Sequence, residues 1–341
     1  MQDVYVWCLR VREWNENIMS FGQLAAGFAP DLAKVSAHMS RALEPHIAHD
    51  RFATILRESV GNTGKMLRPV LMLLVAGDYD ETCRDELLAT AAAYELGHTA
   101  SLILDDVIDG ASLRRGAASV QRSYGVPVAL CSSDYLLMAA QGYLLQEGYY
   151  RSAAEMARLV RVMCTGEVLQ NEHLHDHTVT MNTYLAVAKR KTAGLFESCC
   201  GLAALITDKT EDRVAALRSF GETLGIMFQV RDDLKDWTDD EQHAKKPVNE
   251  DFAAGVYTIP AIHAFADKTV GDQLRELAAL EHPNKADLAE ARRLVDQAGG
   301  IAFARNYLES LAVQAVDALS ALPEGPHRDA LGALVRIVEC E

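Results

Sequence analysis

Six aspartates in two short runs are the residues of this chain best placed to do chemistry. Asp105, Asp106 and Asp109 lie in "SLILDDVIDGASLRRG", and Asp232, Asp233 and Asp236 in "FQVRDDLKDW". Each run follows an apolar stretch, "ASLIL" in one case and "LGIMFQV" in the other. A carboxylate in such surroundings is costly unless it is paired, hydrogen-bonded or bound to a metal. On a helix, residues four apart share a face, which pairs Asp105 with Asp109 and Asp232 with Asp236. Asp106 and Asp233 sit about 100° round from the first residue of each pair. Like charges at that spacing repel, and a divalent cation turns the repulsion into coordination. Oxygen-only ligands suit Mg²⁺, which takes one or two carboxylates together with substrate phosphates. A single run of this kind in an acidic protein reads as a solvated helix end; two, each behind an apolar stretch, read as metal sites. Local ion pairs with Arg231 and Lys235 remain the alternative at the second run.

Cations gather in four places. "GKMLRP" supplies Lys65 and Arg68, and Arg114 and Arg115 follow the first aspartates. "KRKTAGLF" supplies Lys189, Arg190, Lys191 and Thr192, and "KKPVNED" supplies Lys245 and Lys246. Guanidinium forks grip phosphate oxygens two at a time, while lysine acts as a mobile point charge. With two metal-type clusters, these cations describe a site for two polyanionic ligands. There is no glycine-rich phosphate loop of the Walker kind and no dinucleotide fingerprint, so metals and side chains would do the holding.

The elements that must position these groups are helices. Strand signals are scarce, and the chain is Ala/Leu-rich with apolar residues recurring every three or four positions, as in "NYLESLAVQAVDALSAL". One helix is expected from roughly Arg84 to Asp109 and another from roughly Asp212 to Asp236. Both place carboxylates at a C-terminal end, where the helix dipole disfavours them. Breaks are expected at Pro30, Pro45, "GNTG", "GDYD", "RRGAAS", "GVP", "DHT", "TDKTED", "EHPN", "AGG" and "LPEGP". No linker divides the 341 residues. The expectation is a peripheral segment over residues 1–25 and one all-α domain over 26–341. The first twenty residues, interrupted by Asp3, Arg10, Arg12 and Glu13, read as neither a signal peptide nor a membrane span. A net charge of −15 argues against nucleic acid and anionic membranes as partners. Seven scattered cysteines without a Cys-x-x-Cys pair read as reduced thiols in a cytoplasmic protein with no stable membrane anchor.

The pair of aspartate runs, with "GKMLRP" between helices, resembles the trans-isoprenyl diphosphate synthases of the polyprenyl synthetase family. The likeness runs from "GKMLRP" to "GVYTIP" and more weakly through "GGIAFARNYLESLAVQAVDAL". It implies a multi-helix bundle around a central cavity and a homodimer. It also implies prenyl transfer between isopentenyl diphosphate and an allylic diphosphate, with three Mg²⁺. By position, Asp105 and Asp109 match ligands of two ions and Asp232 the ligand of the third, with Asp106, Asp233 and Asp236 in supporting places. Arg114, Lys191 and Lys246 match allylic diphosphate contacts. Lys65, Arg68, His98 and Arg115 match the isopentenyl diphosphate pocket, and Thr192 and Gln229 lie near the reacting carbons. His98 rests on the resemblance alone, since a lone histidine on an apolar helix is more often a satisfied core residue. "GEVLQ", Gly166 to Gln170, resembles the family's inner helix. Met66, Leu104, Val256, Lys235, Trp237 and Lys245 depart from the family's usual residues, and Val256 puts one allylic diphosphate contact in doubt.

A growing chain would run back along the first helix past Ser101, Ala100 and Gly97. All are small, so the expected product is geranylgeranyl or longer. A class I terpene cyclase would share the fold and first cluster, but would carry an Asn/Ser/Glu metal motif in place of "DDLKD" and would not need "GKMLRP". A non-catalytic partner subunit would be expected to lose one aspartate cluster, and this chain has both.

Overall fold

The structure, a computed structural model, describes residues 20–43, 50–61, 64–77, 79–238 and 249–340. Residues 1–19 of the expected peripheral segment, Pro45, and Lys245 and Lys246 lie outside them. In chain order the helices are α1 (Phe21–Ala26), α2 (Ala29–Leu43), α3 (Asp50–Gly61), α4 (Leu67–Ala76) and α5 (Glu81–Ile108). A two-residue antiparallel ribbon follows, β1 (Leu113–Arg114) with β2 (Ala117–Ala118). Next come α6 (Val120–Tyr124), α7 (Val126–Gln146), α8 (Tyr150–Glu172) and α9 (Met181–Ala188), one turn of π-helix over Lys189–Ala193, and α10 (Gly194–Ile206). The chain continues with α11 (Glu211–Thr238), α12 (Glu250–Ala253), α13 (Ile259–Phe265), α14 (Gly271–Ala278) and α15 (Lys285–Gln297). It ends with α16 (Gly300–Ala318) and α17 (Pro326–Cys340). Pro30 begins a helix rather than breaking one: it lies in the first turn of α2, where its missing N–H costs nothing.

Packing divides the chain into two compact units. One comprises residues 1–158, 198–215 and 324–331, the other 159–197, 216–323 and 332–341. No linker separates them in sequence; α8, α10, α11 and α17 contribute residues to both.

The first unit is built on α5, against which α2, α4 and α7 pack. Asp80 caps α5 by accepting from the Thr82 N–H at 2.9 Å, and the alanines Ala91, Ala92 and Ala93 are fully buried. α5 is long and apolar enough to cross a membrane by composition, but most of its apolar stretch is packed inside the protein, as in a core helix. α4 is apolar all round and buried from Pro69 to Ala76. Ser133 of α7 donates to the Ala100 carbonyl at 2.8 Å, tying the two longest helices of this unit side by side.

In the second unit α13, α14, α15 and α16 pack in sequence-adjacent pairs, and α13 also packs on α16. Glu211 and Asp212 favour the positive N-terminus of α11. Its last turn is anchored by Trp237, 1% exposed, which packs edge-on to Phe252 at 5.7 Å in a cluster with Tyr257 and Phe265. Trp237 is therefore the bolt that fixes the end of the helix carrying the second aspartates. Six cysteines fall among the described residues, and all six are free thiols, with Cys199 and Cys200 buried.

Candidate active site

In the first unit, α5 carries Gly97, His98, Ala100, Ser101, Asp105 and Asp106 near its C-terminal end, and Asp109 caps it. The two adjacent aspartates differ sharply. Asp105 is half-buried and its backbone accepts from the Asp109 N–H at 2.8 Å, whereas Asp106 is 3% exposed. The Asp106 carboxylate accepts from Arg114 through Nε at 2.8 Å and through Nη2. Its backbone carbonyl is held by the Gln121 amide and the Ala111 N–H. Asp106 thus positions Arg114, one of the expected diphosphate ligands, on the ribbon that follows α5.

Around His98 the charges are cationic. Burial, then Arg68, Arg115 and Arg114 in that order, push its imidazole well below the usual range, so it is neutral. Arg68 is itself lowered by burial, partly offset by Glu95. Glu95 is 1% exposed and raised by burial, with Arg68 and Arg115 working against that rise. One turn before His98, Glu95 is the carboxylate among these arginines, and sequence reasoning missed it. The available signal was an acidic residue three positions from His98 in an otherwise alanine-rich buried helix. Lys65 is exposed, its ammonium 6.0 Å from the Phe21 ring. Met66 takes a left-handed conformation, φ 53°, at the start of α4, a local strain of the kind that clusters at ligand sites.

The small residues along α5 are not equivalent. Ala100 is 2% exposed beneath α7, while Ser101 is half-buried and donates to the His98 carbonyl at 2.9 Å. At Gly97 the place of a side chain is already taken: a methyl group there would lie 2.7 Å from the Met156 Cε of α8.

In the second unit the π turn Lys189–Ala193 presents Lys191 and Thr192. Such turns occur as single-turn insertions in α-helices, often at functional sites. Two glycines let helices close on it. A methyl at Gly166 of α8 would sit 2.7 Å from the Lys191 amide nitrogen, and one at Gly225 of α11 would sit 2.5 Å from the Ala193 Cα. Thr192 Oγ1 donates to Gln229 Oε1 at 2.6 Å, and Gln229 Nε2 donates to Asp233 Oδ1 at 2.8 Å. Tyr184 donates to the other oxygen of Asp233. Burial raises Asp233 above the ordinary carboxylate range, and both donors oppose that rise. Asp232, by contrast, is exposed and paired with Arg231 at 2.7 Å, so the local ion pair left open from sequence does form. Asp236 accepts from the Glu250 and Asp251 amides at 3.1 and 3.3 Å, which fixes the start of α12. Lys235 is half-buried, and Val256 donates its N–H to the Asp251 carbonyl.

Tyr184 was not legible in the sequence as part of the site. Replacing it with Phe leaves Asp233 buried with one donor fewer, and is expected to cost about 1–3 kcal/mol. Urea unfolding of metal-free protein checks this; an unchanged midpoint would mean the bond contributes nothing.

Among the described residues, no three His, Cys, Asp or Glu side chains converge tightly enough to hold a metal by themselves. The oxygen-only, one-or-two-carboxylate donor sets at Asp105/Asp109 and at Asp232 fit a hard divalent cation that completes its shell with water and phosphate.

The polyprenyl synthetase family profile matches residues 49–295. The chain is 31% identical over 281 residues to octaprenyl diphosphate synthase of Escherichia coli, covering 82% of this chain and 86% of that protein. It is 34% identical over 242 residues to heptaprenyl diphosphate synthase component 2 of Geobacillus stearothermophilus, covering 70% and 74%. Its fold matches the crystal structure of a polyprenyl synthase from Caulobacter crescentus complexed with calcium and isoprenyl diphosphate. The TM-score is 0.87 at 27% identity, over 96% of this chain and 99% of that one. All three relatives are named as synthases and none as a cyclase. With its helical fold, its two aspartate runs and the arginines gathered about His98, the chain belongs to the polyprenyl synthetase family and is a trans-isoprenyl diphosphate synthase.

Proposed function

We propose that the protein condenses isopentenyl diphosphate with an allylic diphosphate using three Mg²⁺ ions. It works as a cytoplasmic homodimer and releases all-trans products of geranylgeranyl length or longer. Asp105 and Asp109 would hold two of the ions and Asp232 the third; bound Mg²⁺ supplies positive charge against the departing diphosphate. The observation that carries this reading is His98 on α5 with three guanidiniums gathered near it: Arg68 from α4, and Arg114 and Arg115 from the ribbon. Such a group of guanidiniums is well matched to a diphosphate.

Arg114 and Lys191, with Lys246, bind the allylic diphosphate; Lys65, Arg68, His98 and Arg115 bind isopentenyl diphosphate. Loss of diphosphate leaves an allylic cation, which the double bond of isopentenyl diphosphate attacks before a proton leaves to the departing diphosphate. Thr192 suits the cation: its proton is committed to Gln229, so its oxygen offers only lone pairs. Asp106 serves by aiming Arg114, and Asp233 by fixing Gln229. The names of the Escherichia coli and Geobacillus relatives support long products, as do the small residues of α5.

The test is incubation with labelled isopentenyl diphosphate, Mg²⁺ and starters from dimethylallyl to farnesyl diphosphate, with products separated by chromatography. Failure to extend every starter overturns the reading.

The homodimer is supported by α7, which exposes Val126, Leu130, Met138 and Leu145 at 44%, 39%, 60% and 46%. Gly142 lies on the same helix, with nothing within 4 Å of where its side chain would be. Apolar residues this exposed along one helix call for a partner. Light scattering should give twice the chain mass, and Met138→Glu should give the monomer. A monomeric parent protein would exclude the homodimer.

A further inference from the structure

Glu167 has no part in the scheme above, yet its placement is specific. It sits on α8 directly after Gly166, the glycine that admits the Lys191 backbone. Its Oε2 lies 2.6 Å from the Lys191 Nζ, with 17% of the Glu167 side chain and 25% of the Lys191 side chain exposed. Gln170, one turn on along α8, places its Oε1 3.5 Å from the same nitrogen. The other oxygen of Glu167, Oε1, is buried and has no hydrogen-bond partner among the described residues. The cations beside Lys191 in the π turn are engaged elsewhere. Lys189 pairs with Glu222 at 2.6 Å, and Arg190 donates to the Ala186 carbonyl at 2.8 Å.

As a stabilising device this is a poor arrangement. A part-exposed ion pair adds little to stability, and a buried carboxylate oxygen left without a donor subtracts from it. As an orienting device it is well made. Lysine has a long stem with several rotatable bonds and three N–H donors. Gly166 fixes the near end of the residue, and Glu167 with Gln170 fixes the far end. The ammonium is thereby held in a set orientation against α8.

We propose that Glu167 is a positioning residue: it aims the Lys191 ammonium, and through it sets how the allylic diphosphate is held. This rests on the reading of Lys191 as an allylic diphosphate ligand. A charged partner at 2.6 Å removes rotamer freedom that the lysine would otherwise lose on binding substrate.

The experiment is a double-mutant cycle on the full chain, using farnesyl diphosphate and isopentenyl diphosphate with Mg²⁺. Glu167→Ala should raise KM for farnesyl diphosphate about tenfold and leave KM for isopentenyl diphosphate unchanged. Glu167→Gln, whose amide oxygen still accepts from Lys191, should recover part of the loss. In a Lys191→Ala background, Glu167→Ala should cost nothing further, because its effect passes through the missing ammonium. The proposal is overturned if Glu167→Ala leaves farnesyl diphosphate KM unchanged. It is equally overturned if the same loss persists without Lys191, or if both KM values rise together with a lower melting temperature. If Glu167→Ala does not fold, Glu167→Gln in both backgrounds carries the cycle. A normal farnesyl diphosphate KM in Lys191→Ala would remove the diphosphate assignment itself. An impaired Lys191→Ala beside a silent Glu167→Ala would remove only the positioning role.

Discussion

Asp105→Ala and Asp232→Ala should each lower kcat/KM by roughly a thousandfold or more while leaving the fold intact. The expectation comes from how each adjacent pair is divided. Asp232 is exposed, and its hydrogen bonds run to its chain neighbour Arg231. Asp105 is half-buried near the end of α5, where the carboxylate opposes the helix dipole. One pairs with its own chain neighbour and the other stands against the helix dipole, so their absence should be felt in turnover more than in stability. Asp106 and Asp233 are the reverse. At 3% and 2% exposed, each holds partners that need it: Arg114 in one case, Tyr184 and Gln229 in the other. Asp106→Ala and Asp233→Ala should lose activity together with melting temperature. Steady-state incorporation of isopentenyl diphosphate and thermal unfolding of the same four variants separate the two classes. Full activity in Asp105→Ala or Asp232→Ala would refute the metal assignment.

Ser101→Phe should shorten the product by at least one isoprene unit, and Met156→Ala should lengthen it. Ser101 lies one helical turn before Asp105 and is half-buried, so an aromatic ring there has room to enter the path of a growing chain. Ala100 is a less clean place for the same experiment, because it is sealed beneath α7 and its carbonyl is engaged by Ser133. A Phe at Ala100 would add overpacking, typically about 1–3 kcal/mol, to any effect on length. Two turns back, Met156 occupies the space that Gly97 leaves open, so a flexible thioether stands where a floor would be. Truncating it opens that floor at a cost of about 2–5 kcal/mol, which a cofactor- and substrate-loaded assay at low temperature should tolerate. Chromatography of dephosphorylated products reads the outcome. Unchanged lengths in Met156→Ala would reduce that residue to ordinary core packing.

Much of this was legible in the sequence. The ends of α5 and α11 lie within three residues of the expected positions, because the apolar period and the aspartates mark them locally. The class of fold followed from the lack of strand signals, and the reduced cysteines from their scatter. What the sequence left hidden depends on which partners the fold brings to each residue. Nothing in "DD" says which carboxylate turns inward; Arg114 and Gln121 decide it for Asp106, and Tyr184, 49 residues away, for Asp233. Gly97 looked like open space until Met156 filled it. Glu95 and Glu167 looked like ordinary acidic residues on helices until the cations they face were in place.

The π turn at Lys189–Ala193 has one more consequence, in terms of chain length rather than chemistry. A π turn is an α-helix carrying one extra residue, and each residue of an α-helix turns about 100°. Deleting any one residue between Lys189 and Ala193 would restore regular geometry. It would also rotate either Lys191 away from Glu167 and Gln170 or Thr192 away from Gln229. A substitution in this turn has conservative versions, and a deletion has none. Among relatives that keep the chemistry, the stretch from α9 to α10 should therefore accept changes of residue and refuse changes of number.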